Sequence, residues 1–286
     1  MKAKLIFIFF FTIYQINSKT LVDQHKKGGK QLHKVFIKVA YTPDMQYVFK
    51  KLKDLFEKSH NLTEILGSKK SSGFSVNNLN KNKVFHILLS ANKYNCNLLR
   101  RKRKTRGKIK RFIKGELVLY APNSKLLLDY NYLNYRKTPS ALVLKNILLS
   151  PKIKRLVIAN PKVSPYGQAA FKLLNKLNVM QFLKKKILLV KSISQVNLYL
   201  RNQIASLGFT DRSYAYARRI KGGYRSEKED RYYVRTNKIW YGNLDHYMVK
   251  TVYGNTEQKK VANDFYKFMQ GNQARSLLKS YGFSIR

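Results

Sequence analysis

Acidic side chains are what this chain has least of: Asp and Glu together number 14, against 58 Lys and Arg in 286 residues. So few acids leave little material for general acid-base chemistry, and no paired-carboxylate constellation, Walker loop or G-x-S-x-G elbow is present. Cysteine is reduced to Cys96. A single cysteine excludes an intramolecular disulfide, and none stands early enough to take a lipid anchor. No neighbour in the sequence would activate it, so Cys96 reads as an inert thiol. The histidines His25, His33, His60, His86 and His246 lack metal-ligand spacing. No apolar run reaches the roughly 20 residues of a membrane span, and no internal repeat is evident. The expectation is a protein that is not an enzyme and carries no cofactor.

What the chain has instead is a formal charge of +44. One reading is a surface selected for polyanions, with tyrosines that could stack on bases; the other is a compositional bias that has replaced surface acids along the whole chain. Met1 to Lys4 carry two lysines, Leu5 to Ile16 are mainly apolar with four phenylalanines, and Asn17-Ser18 offer a small residue before Lys19. This pattern predicts a cleaved secretory signal over 1–18 and a soluble, periplasmic mature protein.

Alternation over Lys34 to Tyr41 predicts a strand. Thr42-Pro43 then opens a helix from Asp44 to Ser59, with Met45, Val48, Phe49, Leu52 and Phe56 on one stripe. Ile65 to Val76 (ILGSKKSSGFSV) reads as a Gly- and Ser-rich turn whose Ser71 and Ser72 can donate to a ligand. Val84 to Ala91 reads as a strand, and Arg100 to Lys114, with ten basic residues, as a solvated surface. Further strands are expected at Glu116 to Ala121, before a turn at Pro122-Asn123-Ser124, and at Leu156 to Ala159, Ile187 to Val190 and Leu207 to Thr210. Gly222 to Trp240 reads as a polar loop with one edge strand. Asn255-Thr256 opens a helix, and a second runs to Tyr281 before Gly282. Strands alternating with helices imply a doubly wound α/β core, with ligands at the carboxyl ends of strands.

The most informative stretch is LVIANPKVSPYGQAAFKLL, Leu156 to Leu174, a buried strand that stops at Pro165-Tyr166-Gly167 and opens a helix. Peptide N–H groups of a first helical turn have no partner inside the helix and carry the positive end of its dipole, so the junction is suited to an oxyanion. Asn160-Pro161-x-x-x-Pro165-Tyr166-Gly167, with Gln168-Ala169-Ala170 after it, resembles the segment of the periplasmic molybdate-binding proteins that serve bacterial ABC importers. The tail Phe265 to Arg286, the Ser71-Ser72-Gly73 loop and VAYTPDM from Val39 are similar to the same family.

That resemblance implies a two-lobed periplasmic binding protein-like fold of type 2, its doubly wound sheets joined by two hinge crossings. The crossings are expected near Glu116 to Ala121 and near Tyr247 to Val252, giving one lobe over 19–116 plus 252–286 and another over 117–251. The oxyanion positions carry over to the hydroxyls of Thr42 and Ser72, to backbone donors at Tyr166 and Ile193, and to Asp211 in place of a donor tyrosine. A carboxylate facing a dianion is repelled. Either Asp211 points away, or Tyr214 takes the role, or the ligand is a protonated oxyanion such as hydrogen phosphate. Two further acidic positions of the family stand here as His86 and Asn92. The resemblance implies capture of molybdate or tungstate, bound through these same residues, and delivery by a monomer to an inner-membrane ABC permease. Alternatives are another oxyanion, phosphate or sulfate, and a basic polyanion-binding protein that kept the scaffold; nucleic acid is not the expected partner.

Overall fold

Short apolar runs without charge form the innermost strands of this protein. The computed structural model describes residues 33–70, 84–122, 127, 138–221 and 233–285, with the side chains of 218–221 excepted, and the chain from Val35 onward forms one compact unit. The predicted signal over 1–18, the Ser71-Ser72-Gly73 loop and Asn123-Ser124 lie outside those residues.

Two mixed sheets build two lobes. The first contains β1 (Val35–Tyr41), β2 (Thr63–Lys69), β3 (Ile87–Ser90), β4 (Thr105–Gly115), β10 (Leu244–Thr251) and β11 (Ser284–Ile285), in the order β11-β4-β10-β3-β1-β2. The second contains β5 (Leu117–Tyr120), β6 (Leu156–Ala159), β7 (Ile187–Val190), β8 (Leu207–Asp211) and β9 (Tyr233–Arg235), in the order β7-β6-β8-β5-β9. Pairing is parallel where helices cross over, β1 with β2 and β3, and β6 with β7 and β8. It is antiparallel where the chain doubles back, β10 with β3 and β4, and β5 with β8 and β9.

Helices α1 (Gln46–Lys58), α2 (Lys93–Arg101), α8 (Thr256–Phe268) and α9 (Asn272–Ser280) belong with the first sheet. Its larger core joins Val48, Leu52 and Phe56 of α1 to Ile37, Val39, Phe265 and Leu278, and a smaller one gathers Leu88, Cys96, Leu99 and Val249. Helices α3 (Ala141–Leu149), α4 (Pro165–Lys176), α5 (Met180–Leu183), α6 (Ile193–Arg201) and α7 (Arg212–Lys221) belong with the second. There β5, β6 and β8 are buried from end to end. Helix α8 starts at a reciprocal cap between Asn255 and Gln258, and Gly282, at φ +82, ends α9 as the sequence predicts.

Three expectations are corrected. Thr63–Lys69 is a strand, not the start of a turn: Thr63 and Ile65 point inward, and a Cβ on Gly67 would stand 2.4 Å from Phe49 Cε1, so its absence seats the Phe49 ring stacked on Tyr41. The basic run from Arg100 is not only surface, since most of it is the eleven-residue β4, held between β10 and β11 with Phe112 and Ile113 buried. The return crossing precedes Tyr247–Val252, because β10 already pairs with the first sheet from Leu244. Its inward row, Leu244, His246 and Met248, carries a histidine that hides the apolar alternation. Among the described residues no helix is long and apolar enough to cross a membrane.

Candidate functional site

Each candidate ligand position among the described residues stands where a strand ends and a helix begins. At the end of β1 the chain turns through a short 3-10 segment, Pro43–Met45. Thr42 precedes it, yet its side chain makes no capping hydrogen bond. Its Oγ1 is buried and without a hydrogen-bond partner among the described residues. A buried hydroxyl left unpaired is destabilising, and capping does not account for this one.

After β6, Asn160 organises the turn. Its carbonyl accepts from Val163 N at 3.2 Å and Ser164 N at 3.0 Å, and its side chain accepts from Lys162 N at 2.9 Å. Ser164 caps α4 by accepting from Gly167 N at 3.3 Å, and Pro165 takes the first helical position, where no N–H is needed. Gly167 serves close approach: a Cβ there would lie 2.2 Å from the Ala159 carbonyl oxygen. The wording of this motif is therefore the construction of a helix start pressed against a strand end. After β7 the same device recurs, with Ser192 accepting from Gln195 N at 3.4 Å while Gln195 Oε1 accepts from Lys191 N at 2.7 Å.

These junctions meet around a cavity of about 30 Å³ whose lining includes Thr42, Asp44, Tyr166, Lys191 and Ile193. Organic ligands of drug size occupy roughly 300 Å³ or more, so a cavity this small fits a compact ion or water. Three of the expected positions, Thr42, Tyr166 and Ile193, are thus brought together. Ser72 lies outside the described residues. Asp211 does not line the cavity. It is fully buried at the end of β8, where Oδ1 accepts from Tyr214 N at 2.8 Å and meets Ser213 Oγ at 2.5 Å, and Oδ2 accepts from Asn197 Nδ2 at 3.2 Å. Of the alternatives left open for Asp211, the geometry is that of a carboxyl pointing away from the cavity, consumed at the start of α7. Tyr214 is also elsewhere, its hydroxyl donating to the Asn197 carbonyl at 3.2 Å. His86 accepts from Lys38 N at 2.8 Å, and Asn92 caps α2 through Tyr94 N at 2.8 Å, so both have local structural partners.

Sequence reasoning missed the most charged part of the site. Asp44, just after Thr42, is 1% exposed, and its Oδ2 lies 2.6 Å from His246 Nε2 and accepts from Tyr166 Oη at 2.8 Å. Burial would raise the Asp44 pKa, but the His246 charge and hydrogen bond, with Tyr166, bring it below the usual carboxylate value. Thr42 lies near enough to favour the ionised form without making a hydrogen bond by distance and angle. Burial would lower His246, and the Asp44 carboxylate outweighs it, holding that pKa above the usual value. Burial pushes Asp211 up to about 6, with Asp44 adding to the rise. The signal that could have found the cluster is His246 on the inward row of a strand, beside an acid that follows a strand end. Asp44 and His246 are separated by 202 positions, and no local pattern joins them.

Gly115 closes the cluster from behind. A Cβ there would lie 2.1 Å from Tyr166 Oη and 3.2 Å from His246 Cε1. One residue on, Glu116 meets Arg212 Nη1 at 2.7 Å and Arg235 Nε at 2.6 Å. Among the described residues no group of three or more His, Cys, Asp or Glu side chains could hold a metal ion.

A family model described as bacterial extracellular solute-binding protein matches residues 37–284. The molybdate-binding protein ModA of Azotobacter vinelandii is 26% identical over 143 residues, which are 49% of this chain and 52% of that protein. The molybdate-binding protein ModA of Rhodobacter capsulatus is 37% identical over 65 residues, 23% of this chain and 26% of that protein. The matches therefore span about half and a quarter of these relatives' lengths. A solved periplasmic molybdate-binding protein of Azotobacter vinelandii superposes with a TM-score of 0.71 at 20% identity, covering 87% of this chain and 99% of that one.

Proposed function

Because this chain belongs to the bacterial extracellular solute-binding proteins, whose work is transport binding and not catalysis, we propose that it captures molybdate or tungstate between its lobes and delivers it to the membrane permease of an ABC importer. In this reading the 1–18 segment is a secretory signal, the mature protein is a periplasmic monomer, and the lobes divide at Glu116 and within 236–243. The oxyanion is held by the hydroxyls of Thr42 and Ser72 and by the peptide N–H groups of Tyr166 and Ile193. Asp211 stays outside the ligand shell.

The observation that carries this reading is the buried, unpartnered Thr42 hydroxyl in a small cavity that also receives the first turns of α4 and α6. Hydroxyls and amides only donate to such an anion, so the bound dianion exchanges its water for preformed donors. Lobe closure supplies the capture step. The relatives that match part of this chain are molybdate-binding proteins. A second reading comes from Asp44 in the lining: a carboxylate beside the ligand favours a protonated oxyanion such as hydrogen phosphate, which can donate to it.

Calorimetric titration of the chain from about Lys19 with molybdate, tungstate, sulfate and phosphate separates these readings. Tight one-to-one binding of molybdate or tungstate, weakened about tenfold or more by Thr42→Ala, is the expected result. Preference for phosphate moves the assignment to the second reading. Failure of all four, with salt-sensitive binding of nucleic acid in their place, overturns both.

A further inference from the structure

We propose that the Asp44–His246 pair is a cross-lobe catch: Tyr166 and Ser213, both from the second lobe, fasten onto Asp44 of the first, and this contact positions the lobes over the cavity without itself binding ligand. Its role in capture rests on the function proposed above, whereas its mechanical role does not.

His246 is held at both ring nitrogens. Its Nδ1 lies 3.1 Å from the Leu244 carbonyl oxygen and its Nε2 2.6 Å from Asp44 Oδ2. The carbonyl can only accept, and so can the Asp44 carboxyl in the ionised form that its surroundings favour. With Asp44 ionised both ring nitrogens donate, which makes His246 an imidazolium inside the first lobe. The pair is complete within that lobe, on β10 and the turn after β1, before the second lobe makes any contact. It is then a prepared acceptor, since a buried carboxylate with lone pairs to spare gains from each further donor.

The second lobe supplies two donors. Tyr166 Oη, at the start of α4, reaches Asp44 Oδ2, and burial together with the Asp44 and Asp211 carboxylates keeps its proton in place. Ser213 Oγ, at the start of α7, contacts the Asp44 carbonyl oxygen. Ser213 has one proton and a second neighbour, Asp211 Oδ1, at 2.5 Å. With Asp211 ionised the two acceptors compete for that proton. With Asp211 protonated, its own O–H satisfies Ser213, which is free to donate across the lobes. The groups facing this junction are Asp44 from the turn after β1, His246 from β10, Tyr166 from α4, Asn197 from α6, Thr210 and Asp211 from β8, and Ser213 and Tyr214 from α7. Thr210 Oγ1 donates to Asn197 Oδ1, and Asn197 to Asp211 Oδ2, so the far side of Asp211 is already filled with donors.

Tyr166 thus has two separable parts. Its peptide N–H belongs to the proposed ligand shell, and its hydroxyl to the catch. Tyr166→Phe removes only the second, and Ser213→Ala removes the other cross-lobe donor at a residue that does not line the cavity. The test measures the radius of gyration of ligand-free wild type and both variants by small-angle X-ray scattering, with circular dichroism as a check of folding and anion dissociation rates by stopped flow. Both variants are expected to be folded and more extended than wild type, and to release the oxyanion about tenfold faster or more. In wild type the radius should also grow as pH rises from 5 to 7.5, a trend that Ser213→Ala abolishes and a purely structural serine would not affect. Unchanged dimensions in both folded variants overturn the catch. Should Tyr166→Phe fail to fold, Ser213→Ala decides alone. If wild type binds none of the anions while the variants open as described, the ligand reading fails and the catch stands.

Discussion

Placing a methyl group on Gly167 tests the construction of the anion junction with the smallest possible change. A Cβ at Gly167 would stand 2.2 Å from the Ala159 carbonyl oxygen, 2.8 Å from Ala159 C and 2.9 Å from Asn160 C. Non-bonded heavy atoms settle at about 3.5 Å, so something must yield by roughly 1 Å. Ala159 is the fully buried last residue of β6, a strand held on one side by β7 and on the other by β8. The sheet cannot move, so α4 must. Overpacking of this kind costs about 1–3 kcal/mol. Opposing it, alanine restricts the unfolded chain and favours helix by about 0.4–1 kcal/mol. The net expectation for Gly167→Ala is a loss of about 1–2 kcal/mol in urea unfolding, or roughly 2–8 °C in Tm for a chain of this size. Because the Tyr166 N–H travels with the helix start, calorimetry should show oxyanion affinity falling by about tenfold. A variant as stable as wild type, with affinity unchanged, would refute the account of why glycine follows tyrosine here.

Asp211 gives a pH signature. Its pKa rises from 3.8 unfolded to about 6 folded, so the native state holds the proton longer and the stability from this group declines as pH climbs through that interval, by about 3 kcal/mol in all. Asp211→Asn removes the slope: its stability relative to wild type, by urea unfolding, should be higher at pH 7.5 than at pH 4.5, and equal differences at both would contradict the buried placement. Cys96, the sole cysteine, is fully buried with its pKa pushed up to about 12. A chromogenic disulfide reagent should therefore leave it unmodified in native protein and react within minutes in urea, and prompt native labelling would show that the small core around α2 opens.

Much of the fold was legible because several of its strands are short, apolar and uncharged: the central Leu156–Ala159 and the edge strand Ile187–Val190 fall at the boundaries their composition suggests. Legibility failed where side chains of the other kind occupy strand positions. In β4 long basic stems flank the sheet, and pairing with β10 decides the conformation that composition disguised. In β2 a glycine that makes room for Phe49 looked like a turn glycine. At the site, the individual junctions were readable, since capping and close approach are local chemistry. Their electrostatic setting was not. The buried pair of Asp44 and His246 exists only because β10 lies beside β3 and β4, and nothing near either residue in sequence announces it.

The two connections between the lobes are very unequal. Gly115 is still in register with Leu244 of the first sheet, and Leu117 is already in register with Asp211 of the second, which leaves Glu116 alone between them. The return connection, from the end of β9 to the start of β10, runs over residues 236–243. Glu116 is itself fastened to the second lobe by Arg212 and Arg235. The molecule is built like a door hung on one tight pin and one slack strap, a single residue on one side and residues 236–243 on the other.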